Sequence, residues 1–143
     1  METVLAFINL ICGLFCFMSN LFMHLSYSDM SHGAIASIEM TKSMNNYLPY
    51  EIGVHFFVSL CGILHQDYFL FLFTIPVTLF HLMQVIKDEF YFDPLTVLHY
   101  HVKKRNETII KAKGVYYGAL ILWQFYNFSM AFSSAMVYRV FYK

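Results

Sequence analysis

The stretch Tyr50–Ile86, "YEIGVHFFVSLCGILHQDYFLFLFTIPVTLFHLMQVI", decides how this chain folds. As one straight helix it would run about 55 Å, against a hydrocarbon core of about 30 Å. His65, Gln66 and Asp67 interrupt it and predict a tight turn between two helices. The second half, Tyr68–Ile86, is long enough to cross a bilayer despite Pro76. The first half, Tyr50–Leu64, is short for a crossing, so it needs an earlier start, little tilt or a locally thinned membrane. The choice is between four spans, and three spans plus a lumenal interfacial helix.

Composition places the rest of the chain in the same environment. Of 143 residues, 59% are apolar, 20% aromatic and 13% charged. Soluble domains average about 25% charged residues. A single small domain has too little interior for so many rings, and lipid covers apolar side chains more easily than protein does. Two more apolar stretches, about 4–26 and 114–138, complete the set with 50–64 and 68–86. Polar segments at about 27–49 and 87–113 separate them, and "SIEMTKSMNN" in the first suggests an amphipathic helix at the membrane surface. The first stretch does not read as a cleavable signal: its apolar part is long and Glu2 stands where a basic residue is expected. The expected fold is an all-α polytopic membrane protein of four transmembrane helices, the second one short.

Charge sets the orientation. In the four-span arrangement Lys42, Lys87, Lys103, Lys104, Arg105, Lys111 and Lys113 share one side, and Arg139 and Lys143 the other. Seven against two puts both polar segments in the cytosol and both termini in the lumen. Three spans would divide the charges six against three, a weaker bias. The net charge is zero, so no global field draws the chain to nucleic acid. Cys12, Cys16 and Cys61 all lie in apolar runs and read as small apolar side chains.

Small and polar residues recur at helical spacing. Asn9, Gly13, Cys16 and Asn20, continued by His24, mark one face of the first span. Glu51, His55, Ser59 and Gly62 mark the second, Thr74, Thr78 and His81 the third, and Gln124, Asn127, Ala131 and Ser134 the fourth, where Gly114 and Gly118 form a separate face. Such seams let helices approach closely and exchange hydrogen bonds. They either close within one bundle or stay open to read the spans of other membrane proteins. Glu51 and His55, at i and i+4, suggest a local pair near a helix start. His99 and His101 form an H-x-H, too few ligands for zinc. Lys103-Lys104-Arg105 beside them fixes topology or attracts anionic membrane lipid. Catalytic and cofactor signatures are absent, and no metal site is expected. Asn106-Glu107-Thr108 is a glycosylation sequon that the charge bias places in the cytosol.

These landmarks together resemble the cornichon family of endoplasmic-reticulum cargo receptors over about residues 20–135. Tyr27-Ser28-Asp29 is similar to the family's Y-A-D. Ile35-Ala36-Ser37-Ile38-Glu39 is similar to its I-N-P-I-E, with Ala-Ser for Asn-Pro, and Asn45 matches a following Asn. Glu51 and His55 match P-E-x-x-x-H, with the proline displaced to Pro49. Ile75-Pro76 matches L-P, and Asp93-Pro94-Leu95-Thr96-Val97 matches the D-P/A-T-x-I that opens the last cytosolic loop. The resemblance implies four helices, lumenal termini, and loading of transmembrane cargo proteins into COPII vesicles that cycle between endoplasmic reticulum and Golgi. Animal relatives also act as auxiliary subunits of ionotropic glutamate receptors. The resemblance implies coat contact through Asp93, Pro94, Val97, Leu98, His99, Tyr100 and His101. Here "VLHYH" stands where the fungal branch has I-F-R-T-L, and no acidic tail follows the last helix. Two other readings are an auxiliary subunit that stays with a channel or transporter, and a metal or proton transporter using Glu51, His55, His81 and the H-x-H.

Overall fold

The computed structural model describes residues 2–64, 67–87 and 91–141. Four helices follow in order: α1 (Glu2–Ser31), α2 (Ser37–Leu64), α3 (Tyr68–Ile86) and α4 (Tyr100–Phe141). No strand occurs among the described residues. Three of the helices, α1, α2 and α3, are long and apolar enough to cross a membrane. The upper part of α4 is less apolar because Gln124, Asn127, three serines and several tyrosines interrupt it.

The helices are longer than the apolar stretches that announce them. α2 begins at Ser37 rather than at 50, and its 28 residues make it a full-length helix, not a short one. The segment "SIEMTKSMNN" is helical, as its pattern suggests, but it is continuous with the span. α4 begins at Tyr100 rather than at 114 and has 42 residues, about 63 Å of helix. Most of the two expected loops, 27–49 and 87–113, is therefore helical. Polar residues in a helix that leaves the bilayer look like loop residues, although propensity permits the helix to continue. α3 has the expected bounds. Asp67 caps it, its Oδ1 accepting from the Leu70 N–H at 3.0 Å. His65 and Gln66 lie outside the described residues.

Two turns fix the ends of the long helices. α1 stops in a Schellman motif: Ala34 N–H donates to Asp29 O at 2.8 Å and Gly33 N–H to Met30 O at 3.0 Å. That closure needs a left-handed residue, and Gly33 has φ 75°. Before α4, Asp93 folds the chain onto itself. Its Oδ1 accepts from Leu95 N–H and its Oδ2 from the Thr96 hydroxyl, both at 3.0 Å, while its carbonyl accepts from Val97 N–H. Asn45 of α2 holds this segment from below, donating to Phe92 O at 3.0 Å and accepting from Phe92 N–H at 2.9 Å.

α1 and α4 run antiparallel along most of their length. Contacts between Thr3 and Ala131, Phe7 and Phe128, Asn20 and Gly114, and Tyr27 and Lys103 mark the register. α2 packs on α1, and α3 packs on α2. α3 reaches α4 through Asp67, which accepts from Trp123 and Asn127, and through the ring pairs Phe69–Trp123 and Phe73–Tyr116. Large apolar side chains cover the outside; Leu72, Ile86, Val115 and Leu122 are all at least 66% exposed. Such a surface is incompatible with water and suited to lipid.

Two cores lie inside. Toward the basic end, Met23, Tyr27, Met30, Met40, Met44, Leu48, Val97 and Ile110 form one cluster. Higher up, Cys16, Val58, Leu70, Tyr117 and Leu120 form the other.

Candidate functional site

The small-and-polar seams close on one another. Asn9, Gly13, Cys16 and Asn20 are buried, as are Glu51, His55, Ser59, Gly62, Thr74, His81 and Gln124; Thr78 and Asn127 are half-buried. Helical spacing brought each set to one face, and the faces point inward. His24, at the end of the first set, and Ser134, at the end of the fourth, are exposed, and Ala131 is half-buried. Gly13 leaves room for Gln124, whose Oε1 would collide with a Cβ there. Gly114 admits Asn20, and Gly62 lets the start of α3 approach α2.

At the centre stands Glu51, fully buried in the middle of α2 rather than near its start. Lys113 of α4 approaches its Oε1 at 2.5 Å. The Tyr117 hydroxyl donates to the same oxygen at 2.6 Å. Lys113 also stands 5.9 Å from the centre of the Tyr117 ring. Glu51 does not pair with His55. One helical turn on, His55 Nε2 meets the Tyr116 hydroxyl at 2.9 Å and its Nδ1 meets Thr78 Oγ1 at 3.3 Å. Thr78 gives its own proton to the Thr74 carbonyl at 2.9 Å. With that proton given to Thr74, Thr78 accepts from His55 Nδ1–H, and His55 Nε2 accepts from Tyr116. His81 Nε2 lies 3.4 Å from the Tyr117 hydroxyl, whose proton is already given to Glu51, so His81 donates.

The network ties α2, α3 and α4 together by side chains alone. Sequence spacing found Glu51, His55, Ser59, Thr78 and His81, and missed Lys113, Tyr116 and Tyr117. Lys113 reads in sequence as one more cytosolic charge. The structure buries it against Glu51, leaving six basic residues on that side of the charge count. No signal in one sequence pairs it with a carboxylate so far away in the chain. A buried ion pair needs each partner, because a lone charge there is unsolvated.

The network does not assemble a metal site. No group of three His, Cys, Asp or Glu side chains is placed to hold an ion among the described residues. His99 precedes α4 and His101 is in its first turn, about 18 Å along the helix from Lys113. Both are exposed.

The second candidate site is the turn that leads into α4. Val97 is buried in the methionine-rich core, and its carbonyl accepts from the Tyr27 hydroxyl at 3.2 Å. Val97 anchors the turn from within and is not on its surface. Outward stand Leu95, 83% exposed, with Leu98, His99, Tyr100 and His101. Leu95 is absent from the sequence-derived set. Asp93 and Pro94 build the turn, and Lys103, Lys104 and Arg105 follow it on α4. Asn106 of the sequon is buried against the core and is no longer an accessible acceptor.

The landmarks of the resemblance thus have structural work. Tyr27 clasps the turn, Asn45 clamps Phe92, Glu51 and His55 centre the polar network, and Asp93 closes the turn. No individual curated protein and no solved structure matches the chain. A family model described as Cornichon protein matches residues 3–138, nearly the whole length. The chain belongs to the cornichon family.

Proposed function

We propose that this protein is a cargo receptor that loads membrane proteins into COPII vesicles at the endoplasmic reticulum and cycles to the Golgi. Family membership supports membrane-protein cargo and export. The observation that carries the finer reading is the Asp93 turn. It is braced by Asp93, Asn45 and Tyr27, so Leu95, Leu98 and Tyr100 are held outward without a packing role of their own. Exposed apolar side chains on a rigid turn, beside a basic helix face, suit recognition by a coat adaptor.

Four spans with lumenal termini complete the proposal. Residues 114–131 of α4 run beside residues 3–20 of α1, an apolar span, which supports a crossing by α4 at the same depth. The basic lower half of α4 then lies in the cytosol, where anionic lipid attracts it. Because the seams are turned inward, cargo spans meet the lipid-facing side chains of the bundle, not the polar seam residues. The function needs no cofactor and no catalytic group.

Replacing Leu95, Leu98 and Tyr100 together by alanine tests the coat reading. Packaging of the protein into COPII vesicles falls severalfold while its melting temperature in micelles holds. Unchanged packaging overturns it. The alternative is a stable auxiliary subunit of a channel or transporter, favoured by the large apolar side chains on the outer surface of α4, where Phe125, Tyr126, Met130 and Phe132 are exposed. Stoichiometric copurification with a partner from the final membrane would select it over the receptor.

A further inference from the structure

Where α3 begins, a cavity of about 350 Å³ opens between α1, α3 and α4. Asp67 and Asn127 stand at its mouth, and Asn9 and Gln124 lie deeper. Ala6 and Ala131 form apolar wall. Asn9 is 6% exposed and Gln124 is 2% exposed. Among the described residues neither finds a partner for these atoms: Asn9 Oδ1, Gln124 Oε1 and Gln124 Nε2 are all buried and unsatisfied. Buried polar groups are seldom left so, and at membrane depth each orphan is costly. The placement of the Gln124 amide is set by the sequence, since a Cβ at position 13 would collide with its Oε1.

Acceptors and charge dominate the cavity. Asn9 and Gln124 each have an unpaired carbonyl oxygen, Gln124 Nε2 is an unpaired donor beside them, and Asp67 adds a negative charge. The Asp67 carboxylate already receives Leu70 N–H, Trp123 Nε1–H and Asn127 Nδ2–H, all neutral donors. Among the described residues, no lysine or arginine pairs with it. A small cation rich in N–H donors answers both the charge and the acceptors. A quaternary ammonium brings the charge without N–H groups, and needs an aromatic cage that the wall does not provide.

We propose that this cavity binds the primary ammonium headgroup of phosphatidylethanolamine. The mouth lies at the N-cap of α3, hence at the end of an apolar span, where headgroups sit. Lipid is the donor of such cations present in excess at that depth. The assignment rests on α4 spanning the bilayer beside α1, and not on the coat-binding role.

Native mass spectrometry of the full chain, released from membranes holding equal phosphatidylethanolamine and phosphatidylcholine, tests it. The wild type retains one phosphatidylethanolamine in preference to phosphatidylcholine by about tenfold, as expected for one to two hydrogen bonds to a charged group. Gln124→Leu and Asp67→Asn bring the two lipids toward parity. Ala131→Leu, which fills the cavity and removes no polar group, does the same with the melting temperature preserved. Equal retention of both lipids by the wild type, which needs no variant to fold, overturns the proposal. So does a preference that survives both Gln124→Leu and Ala131→Leu. Lipid retention is read without cargo or coat, so a failed packaging assay leaves this result standing, and the reverse.

Discussion

The two cores of this molecule are built on opposite rules. The lower one, at the basic end, takes four methionines with Tyr27, Leu48, Val97 and Ile110 from α1, α2, α4 and the Asp93 turn. Methionine is unbranched and soft, and fills irregular gaps without exact partners. The upper one surrounds Glu51, Lys113, Tyr117, His55 and His81, which are joined by one ion pair and specific hydrogen bonds. The proposed topology gives the difference a cause. With water outside the lower core, apolar burial drives packing. With lipid outside the upper core, as apolar as the interior, burial alone gives little, and hydrogen bonds and close contact hold the helices. Stability should therefore be concentrated in a few polar side chains above and spread over many apolar ones below.

The largest effect is expected at Lys113. Lys113→Met strands the Glu51 charge and should cost about 3–5 kcal/mol in reversible unfolding from micelles. Adding Glu51→Leu should recover most of the loss, because the pair is then replaced by apolar groups. A double variant no better than the single would show that the two residues do not act as a pair. Next comes Tyr117→Phe, which removes one donor from Glu51 and leaves His81 without its acceptor. A loss of about 2–3 kcal/mol is expected, read in the same unfolding experiment. Asn45→Ala should cost about 1–2 kcal/mol, because it frees both backbone groups of Phe92. Its sharper signature is faster hydrogen exchange in the Asp93 turn, with the upper core unaffected. The smallest effect is expected for Met44→Leu, about 1 kcal/mol or less, since a core of soft side chains accepts a swap of similar volume. A Met44→Leu loss as large as that of Lys113→Met would erase the contrast between the cores.

The same contrast explains what one sequence disclosed. The faces of the helices were legible, because Asn9, Gly13, Cys16 and Asn20, or Glu51, His55, Ser59 and Gly62, fall on a helical period whatever they touch. The break between α2 and α3 and the bounds of α3 were legible because the carboxylate of Asp67, which caps α3, interrupts an apolar run. The lower ends of α2 and α4 were not. Once a helix leaves the bilayer, hydropathy no longer marks it, and Lys42, Asn45 and Lys103 look like loop residues. Partners were not legible either. Spacing pairs Glu51 with His55 along the helix, whereas the fold pairs Glu51 with Lys113 across it. Burial turned Val97 from a surface contact into an anchor and left Leu95 exposed in its place. The family resemblance suggested what composition could not, the proposed coat-binding role of the Asp93 turn.

The account depends on a boundary: the polar network lies within the bilayer, and the methionine core with its turn lies in the cytosol. Glycosylation mapping in microsomes measures this directly. Asn106 is buried, so the native sequon is a poor reporter. New sequons are placed instead in the exposed turn at Leu95 and, through a flexible extension, after Lys143. The account predicts glycan on the C-terminal sequon and none on the turn. Glycan on the turn, or none at the C-terminus while a lumenal control is modified, would contradict it.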